Sequence, residues 1–515
     1  MKSLRSILLG TAAAASLLAT ATAPASAAPA VGTHYQHVLL ISIDGMHAID
    51  LQRMITKNPA SALAQLSNHG IVYRKAMTTG PSDSFPGMLA QVTGATSKST
   101  GLYYDDSYDR AAYPAGSNCI GAPGAEIQNF ESIDWNLDDV TAGGTLGQPL
   151  SQINPANLQM ALVGGVCQVM YPHNYLRVNT LFEVLHGAGK LTAWSDKHPA
   201  YEVLSGPSGT GLVDLFTPEI NSQMFLAGAP VGDDNTKSFA AVRAYDQIKV
   251  NAVLNWIDGW NSTHTAQPGV PAIFGMNFQS VSVGQKLKKA GYGDDPSLLG
   301  GYVNANGKPA NGLDAQLQYV DSAIGSMVTE LTAQGLIDST LIIVSAKHGQ
   351  SPIDKSLRVA VDDAPFTGTP GYAFHIADDI GLVWLTPDAQ KSSHAAARSY
   401  LTANSAALHL RRIEGRDSIA NTYQDPYSDS RAPDFIAIPD HGVIYTGGSK
   451  IAEHGGLTND DRNVALLVSA PDIAGETVHT VVTTTQIAPT ILTALGMDPN
   501  ALQGVVLEGT QVLSK

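Results

Sequence analysis

The feature that most restricts the fold is a short run, HVLLISI from His37 to Ile43, that is almost continuously apolar and ends on Asp44 and Gly45. A β-rich run with no polar alternation fits a strand buried on both faces, as in a parallel sheet. Ala272 to Phe278, Thr340 to Ser345 and Val464 to Ser469 share that character. Between them lie helical patterns. The clearest sets Leu313, Leu317, Val320, Ile324, Met327, Val328 and Leu331 at three- and four-residue steps, with Gly335 as a stop. Strands alternating with helices predict an α/β fold, a mostly parallel central sheet with helices on both faces.

Residues 1–28 place Lys2 and Arg5 ahead of an apolar run from Ile7 to Leu18, then small residues ending Ala25, Ser26, Ala27. This is the pattern of a secretory signal, and it falls short of the roughly 18 apolar residues a membrane helix needs. The mature protein, residues 29–515, is therefore expected to be secreted or periplasmic, without membrane contact. The formal net charge is −15, and the signal carries two of the basic residues. Such a field repels polyanions and argues against a nucleic acid polymer as partner, whereas a local cation can still draw in a small phosphate ester. Cys119 and Cys167 are the only cysteines. Outside a reducing compartment they are predicted to pair, two separate buried thiols being the alternative. Segments near 104–180 and 196–270, rich in Gly, Pro, Asn and Ser, read as insertions over one end of the sheet.

In open α/β sheets ligands gather outside the carboxyl ends of the strands. Asp44 stands at such an end, although alone it could equally be a helix cap. Thr79 to Gly94 reads TGPSDSFPGMLAQVTG. Pro86 fits the first turn of a helix, so Ser84 falls near a helix N-terminus, where free amides and the dipole favour an alkoxide or a phosphoryl group. Two later segments present histidines beside strands: AKHGQSP, with Lys347 and His348, and AEHGGLTNDDRNVALLV, with Glu453 and His454. The run SDKHPAY brings Asp196, Lys197 and His198 after a strand-like LTAW, read as a structural cluster that could also reach the same rim.

Taken together these segments resemble the alkaline phosphatase superfamily, nearest its type I phosphodiesterase and nucleotide pyrophosphatase branch, from about residue 37 to the end. The resemblance implies that Ser84, before Phe85-Pro86 and with Thr93-Gly94 following, is the nucleophile. It implies a divalent metal, zinc, held by Asp44, Ser84, His348 and His454. Departures from the family pattern are as informative. Lys347 stands where the family has a metal-binding Asp, and Asp105 where it has a phosphoryl-contacting Asn. Gln279 and Val283, in NFQSVSVGQ, stand where an Asp and a His would bind the second metal. A divalent ion 4 Å from an ammonium meets roughly 8 kcal/mol of repulsion at an effective dielectric near 20, so one ion per chain is expected rather than two.

The implied activity is hydrolysis of a phosphate mono- or diester, with Ser84 attacking phosphorus, Lys347 offsetting charge and Asp105 at the substrate. Two alternatives remain open: a retired hydrolase scaffold acting as a secreted binding protein, and a sulfatase-like esterase with one metal and lysines about the nucleophile.

Overall fold

The computed structural model describes residues 29–137 and 149–515. The predicted signal, residues 1–28, lies outside the described residues. The strand His37–Ile43 is the centre of the molecule, parallel to Ile273–Phe278 on one side and to Thr340–Ser345 on the other. Outward from Ile273–Phe278 come Ala193–Ser195 and Asp214–Phe216, also parallel. In the other direction Leu466–Ser469 runs antiparallel, followed by Gly70–Met77, which takes Glu476–Thr483 as a parallel neighbour. The sheet is thus mixed, its one reversed segment being the chain from Asn463 to Ser469.

All but one of the residues from His37 to Ile43 are buried, as are all of Ile273–Phe278 and Thr340–Ser345, because helices cover both faces. The longest helix, Asn311–Ala333, buries Leu313, Leu317, Val320, Ile324, Met327 and Leu331, the same stripe that its sequence spacing marks. Within the segment 196–270, predicted as insertion, the chain supplies the outer strand Asp214–Phe216 and a 19-residue helix, Phe239–Ile257. That helix buries Tyr245, Asp246 and Lys249 along with its apolar residues. Its inward face is therefore too polar to read as an apolar stripe.

Two smaller units pack over the carboxyl ends of the strands. One is a four-stranded antiparallel sheet formed by residues 372–439, with its own apolar cluster around Phe366, Val383, Leu385 and Phe435. The other carries two hairpins, residues 106–128 and 160–169. Cys119 and Cys167 form a disulfide with Cα atoms 5.8 Å apart, tying the tip of the first hairpin to the second.

Candidate active site

Four neighbouring parallel strands end at one place, and each delivers one or two polar side chains there. Asp44 follows His37–Ile43, Lys347 and His348 follow Thr340–Ser345, Gln279 follows Ile273–Phe278, and Asp196 and Lys197 follow Ala193–Ser195. Ser84 is the first residue of the helix Ser84–Thr93. His454 comes from a loop fixed to the His348 loop by paired backbone hydrogen bonds between Ser351 and Glu453, 2.7 and 2.9 Å. The sheet register therefore assembles the site before any side chain makes a contact.

The helix starts at Ser84, with Pro86 in its first turn as the sequence predicts. Its cap is Asp83, whose carboxylate accepts from the Phe85 amide at 3.1 Å, and Ser84 is one residue inside. Pro86 has no amide hydrogen, and the Gly87 amide donates to the Asp83 carbonyl. The free amides expected beside Ser84 are thus largely committed, and charge stabilisation has to come from side chains.

Those side chains are present. The Lys197 ammonium donates to Ser84 Oγ at 3.0 Å and lies 3.7 Å from Asp44 Oδ2. His348 Nδ1 is 2.8 Å from the Gly349 carbonyl, which can only accept, so the proton sits on Nδ1. His348 Nε2 then offers a lone pair, and Ser84 Oγ, 3.2 Å away, donates to it. Burial, reinforced by the charge of Lys197 and opposed by Asp44, lowers His348 to about 4, which keeps the ring neutral at ordinary pH. Burial also works against the Lys197 ammonium, yet Asp44, Asp105, Asp196 and Asp83 hold its pKa above the lysine range.

Lys347 is engaged elsewhere. Its ammonium donates to Asp196 Oδ1 at 2.9 Å and to the Tyr201 hydroxyl at 2.7 Å, and it stands 4.0 Å from Asp44. Asp196 is fixed in turn by the Trp194 indole at 2.9 Å, and Tyr201 stacks on Phe85 at 4.4 Å. Lys347 is thus held in a buried ion pair, with Asp196 rather than Asp44 as the closer partner. Lys197, which sequence reasoning left in a structural cluster, is the lysine at the serine; its signal was its place directly after a strand of the sheet.

Asp44 accepts from the Gln279 amide at 2.5 Å through Oδ2, while among the described residues no donor reaches Oδ1. Burial pushes this carboxyl up, but Lys347, His348 and Lys197 together hold it well below the usual range. Gln279 is aimed by Asp246, which accepts from its backbone amide at 3.0 Å. Val283 is buried one helical turn further on. Glu453 is paired with Lys286 at 2.7 Å and with Lys450, and so is not free to replace a missing ligand. Asp105 is partly buried beside Asp83, and desolvation raises both carboxyls, Asp105 adding to the rise of Asp83.

A divalent ion bound by protein needs three or four ligands around a common point. Of the expected set, Ser84 Oγ lies 3.2 Å and Asp44 Oδ1 3.8 Å from His348 Nε2, while Asp44 Oδ2 is taken by Gln279. Two ammoniums lie within 4.0 Å of Asp44. Their charge repels a divalent ion beside that carboxylate, and this repulsion is what disfavours one here. As the residues stand, Lys197 balances Asp44 and Lys347 balances Asp196.

The fold and these strand-end residues define a hydrolase scaffold of the alkaline phosphatase kind. The sequence matches the model of the type I phosphodiesterase / nucleotide pyrophosphatase family over residues 38–461, and the chain belongs to that family, whose members are phosphoric ester hydrolases. No curated protein matches it. Among solved structures it is similar to murine ectonucleotide pyrophosphatase/phosphodiesterase 5, with 13% identity, TM-score 0.56, and coverage of 90% of this chain and 96% of the other. An inactive variant of that protein, in complex with AMP, matches equally. Wild-type alkaline phosphatase PafA superposes with TM-score 0.59 at 13% identity, again over 90% and 96% of the two chains.

Proposed function

We propose that this protein is an exported hydrolase of small phosphate mono- or diesters in which Ser84 is the nucleophile and lysine replaces metal at the reacting centre. The observation that carries the reading is the arrangement at Ser84 Oγ, with a neutral imidazole to take its proton and an ammonium to hold its charge. Ser84 Oγ attacks phosphorus and its proton passes to His348 Nε2, whose new charge faces Asp44 Oδ1 at 3.8 Å. The bond to the leaving oxygen breaks, and that oxygen takes a proton from water. The hydroxide so formed attacks the phosphorylated serine, the bond from phosphorus to Ser84 Oγ breaks, and His348 Nε2 returns its proton to that oxygen. Lys197 lies beside both the serine oxygen and the incoming phosphoryl oxygens, so its ammonium offsets the charge that develops on each.

Asp105 finds a role in the same terms. Burial raises its pKa, and in the protonated form it donates to a phosphoryl oxygen instead of repelling it. Lys347 acts by positioning, through Asp196 and Tyr201. Ser84 and Asp44 are fully buried and Lys197 nearly so, which suits a small ester and not a polymer. Export rests on the signal pattern of residues 1–28, and no helix of the described residues is long and apolar enough to cross a membrane.

The test is to quench the protein during turnover of nitrophenyl phosphate, bis(nitrophenyl) phosphate or an AMP ester and map the modified peptide by mass spectrometry. Phosphate or a phosphodiester on Ser84 is expected. Turnover without modification, at a rate unaffected by Ser84→Ala, rules out the covalent route. No turnover of any ester, nitrophenyl sulfate included, favours the retired binding scaffold, for which the hydrocarbon of Val283 at a ligand position speaks.

A further inference from the structure

The residue after Lys197 belongs to a second cluster, on the side of the loop away from Ser84. His198 Nδ1 lies 2.9 and 2.8 Å from the two Glu219 carboxylate oxygens. Glu131, from the short helix Glu131–Ile133, brings a third group, and one ligand atom from each of Glu131, His198 and Glu219 lies within 4.8 Å of the others. Asp134 adds an independent observation. It is 9% exposed, its carboxyl faces that of Glu219, and among the described residues no donor reaches either of its oxygens. Three carboxyls thus meet one imidazole, and among the described residues the hydrogens offered to them come from the imidazole and from the Asn221 amide, 2.9 Å from Glu219 Oε1. Burying such a group uncompensated costs several kcal/mol, so it implies either shared protons or a cation.

We propose that Glu131, Asp134, His198 and Glu219 form a binding site for one divalent transition-metal ion, Zn2+ or Mn2+, separate from the Ser84 centre. Carboxylate oxygens with one imidazole suit these ions better than Ca2+ or Mg2+, which prefer oxygen alone. The charges agree, since a divalent ion neutralises carboxyls that burial and mutual repulsion otherwise push up, as they do for Asp134 and Glu219. The site joins three segments distant in sequence. The Ile220 amide donates to the Lys197 carbonyl at 3.1 Å, so an ion held by His198 and Glu219 fixes the backbone on both sides of Lys197. The ion's part is to brace the lysine that touches Ser84.

The experiment is to strip the full mature protein with chelator, titrate it with Zn2+ and then with Mn2+, and repeat this on Glu131→Gln, Glu219→Gln and His454→Ala. Zinc-edge anomalous diffraction of the wild type then locates the ion. The expected result is one ion per chain, bound undiminished by His454→Ala and at least about tenfold more weakly by Glu131→Gln and Glu219→Gln, with the anomalous peak among Glu131, His198 and Glu219. Glu131 is only partly buried, so Glu131→Gln keeps the test valid if Glu219→Gln does not fold. Equal binding by wild type and Glu131→Gln overturns the site. So does failure of the wild type to bind either ion, which leaves the reading of Ser84 untouched. Loss of the ion in His454→Ala, with a peak beside Asp44, overturns both this site and the metal-free centre.

Discussion

At the residue scale the account divides two lysines that sequence spacing treats alike. Lys197 touches the nucleophile, whereas Lys347 fills a buried gap between Asp196, Tyr201 and Asp44. Lys197→Met should lower kcat by about 100- to 1000-fold, as loss of one charge-stabilising donor does, and it should also cost some stability because Asp44 keeps only the Lys347 ammonium, 4.0 Å away. Lys347→Met should do the reverse in emphasis, costing about 3–5 kcal/mol of stability by leaving Asp196 charged and buried without its partner. Calorimetry and steady-state kinetics on both variants separate the roles. If Lys347→Met keeps full stability, the ion pair is not structural. The pH profile carries a second test. His348 must be neutral to accept the serine proton, so kcat/KM should fall as pH drops through about 4, and the Lys197 limb should lie above the ordinary lysine range. An acid limb near pH 6.5 would mean that His348 is not the base. These roles were partly legible. Asp44, Ser84 and His348 stand out by their places after strands and before a helix. The roles of Lys197 and Lys347 were not, because which lysine reaches the serine depends on side-chain direction across strands distant in sequence.

At the scale of elements, the helix Ser84–Thr93 must lie directly against the end of Thr340–Ser345 for His348 to meet Ser84. Gly87 permits this, since a Cβ there would collide with the Lys347 carbonyl oxygen and meet its carbon at 2.8 Å. The Thr78 hydroxyl, donating to that same carbonyl at 2.6 Å, fixes the strand end from the other side. Gly87→Ala gains up to about 1 kcal/mol of helix propensity, but the obstacle is backbone that cannot rotate away. Overpacking of this kind costs about 1–3 kcal/mol, so the variant should be less stable and should lose activity with Ser84 intact. Equal stability and activity in Gly87→Ala would show that the approach is less tight. Pro86 betrays the helix start in the sequence, and Gly94, at φ 73°, its end. Asp83 and Ser84 are both good capping residues, and only backbone geometry shows that Asp83 is the cap.

For the whole molecule, the order of apolar runs gave away the α/β layers and the central strand. It could not reveal that the chain from Asn463 to Ser469 is reversed, since a buried strand has the same composition in either direction. Nor did it mark residues 372–439 as a small antiparallel sheet, whose strand Tyr372–Ala377 is only partly buried and therefore weakly patterned. Placing strand ends, helix start and lysines around one serine is what this architecture achieves, and the most direct measurement changes that serine alone. With hydrolysis of a nitrophenyl phosphate ester as the assay, Ser84→Ala should lower kcat/KM by at least about a hundredfold. Because Asp83 is the cap, the fold should be unaffected. Ser82→Ala, two residues away and equally buried, should leave activity near wild type. Near-normal activity in Ser84→Ala, or loss in Ser82→Ala alone, would contradict the assignment of the nucleophile and with it the account of the site.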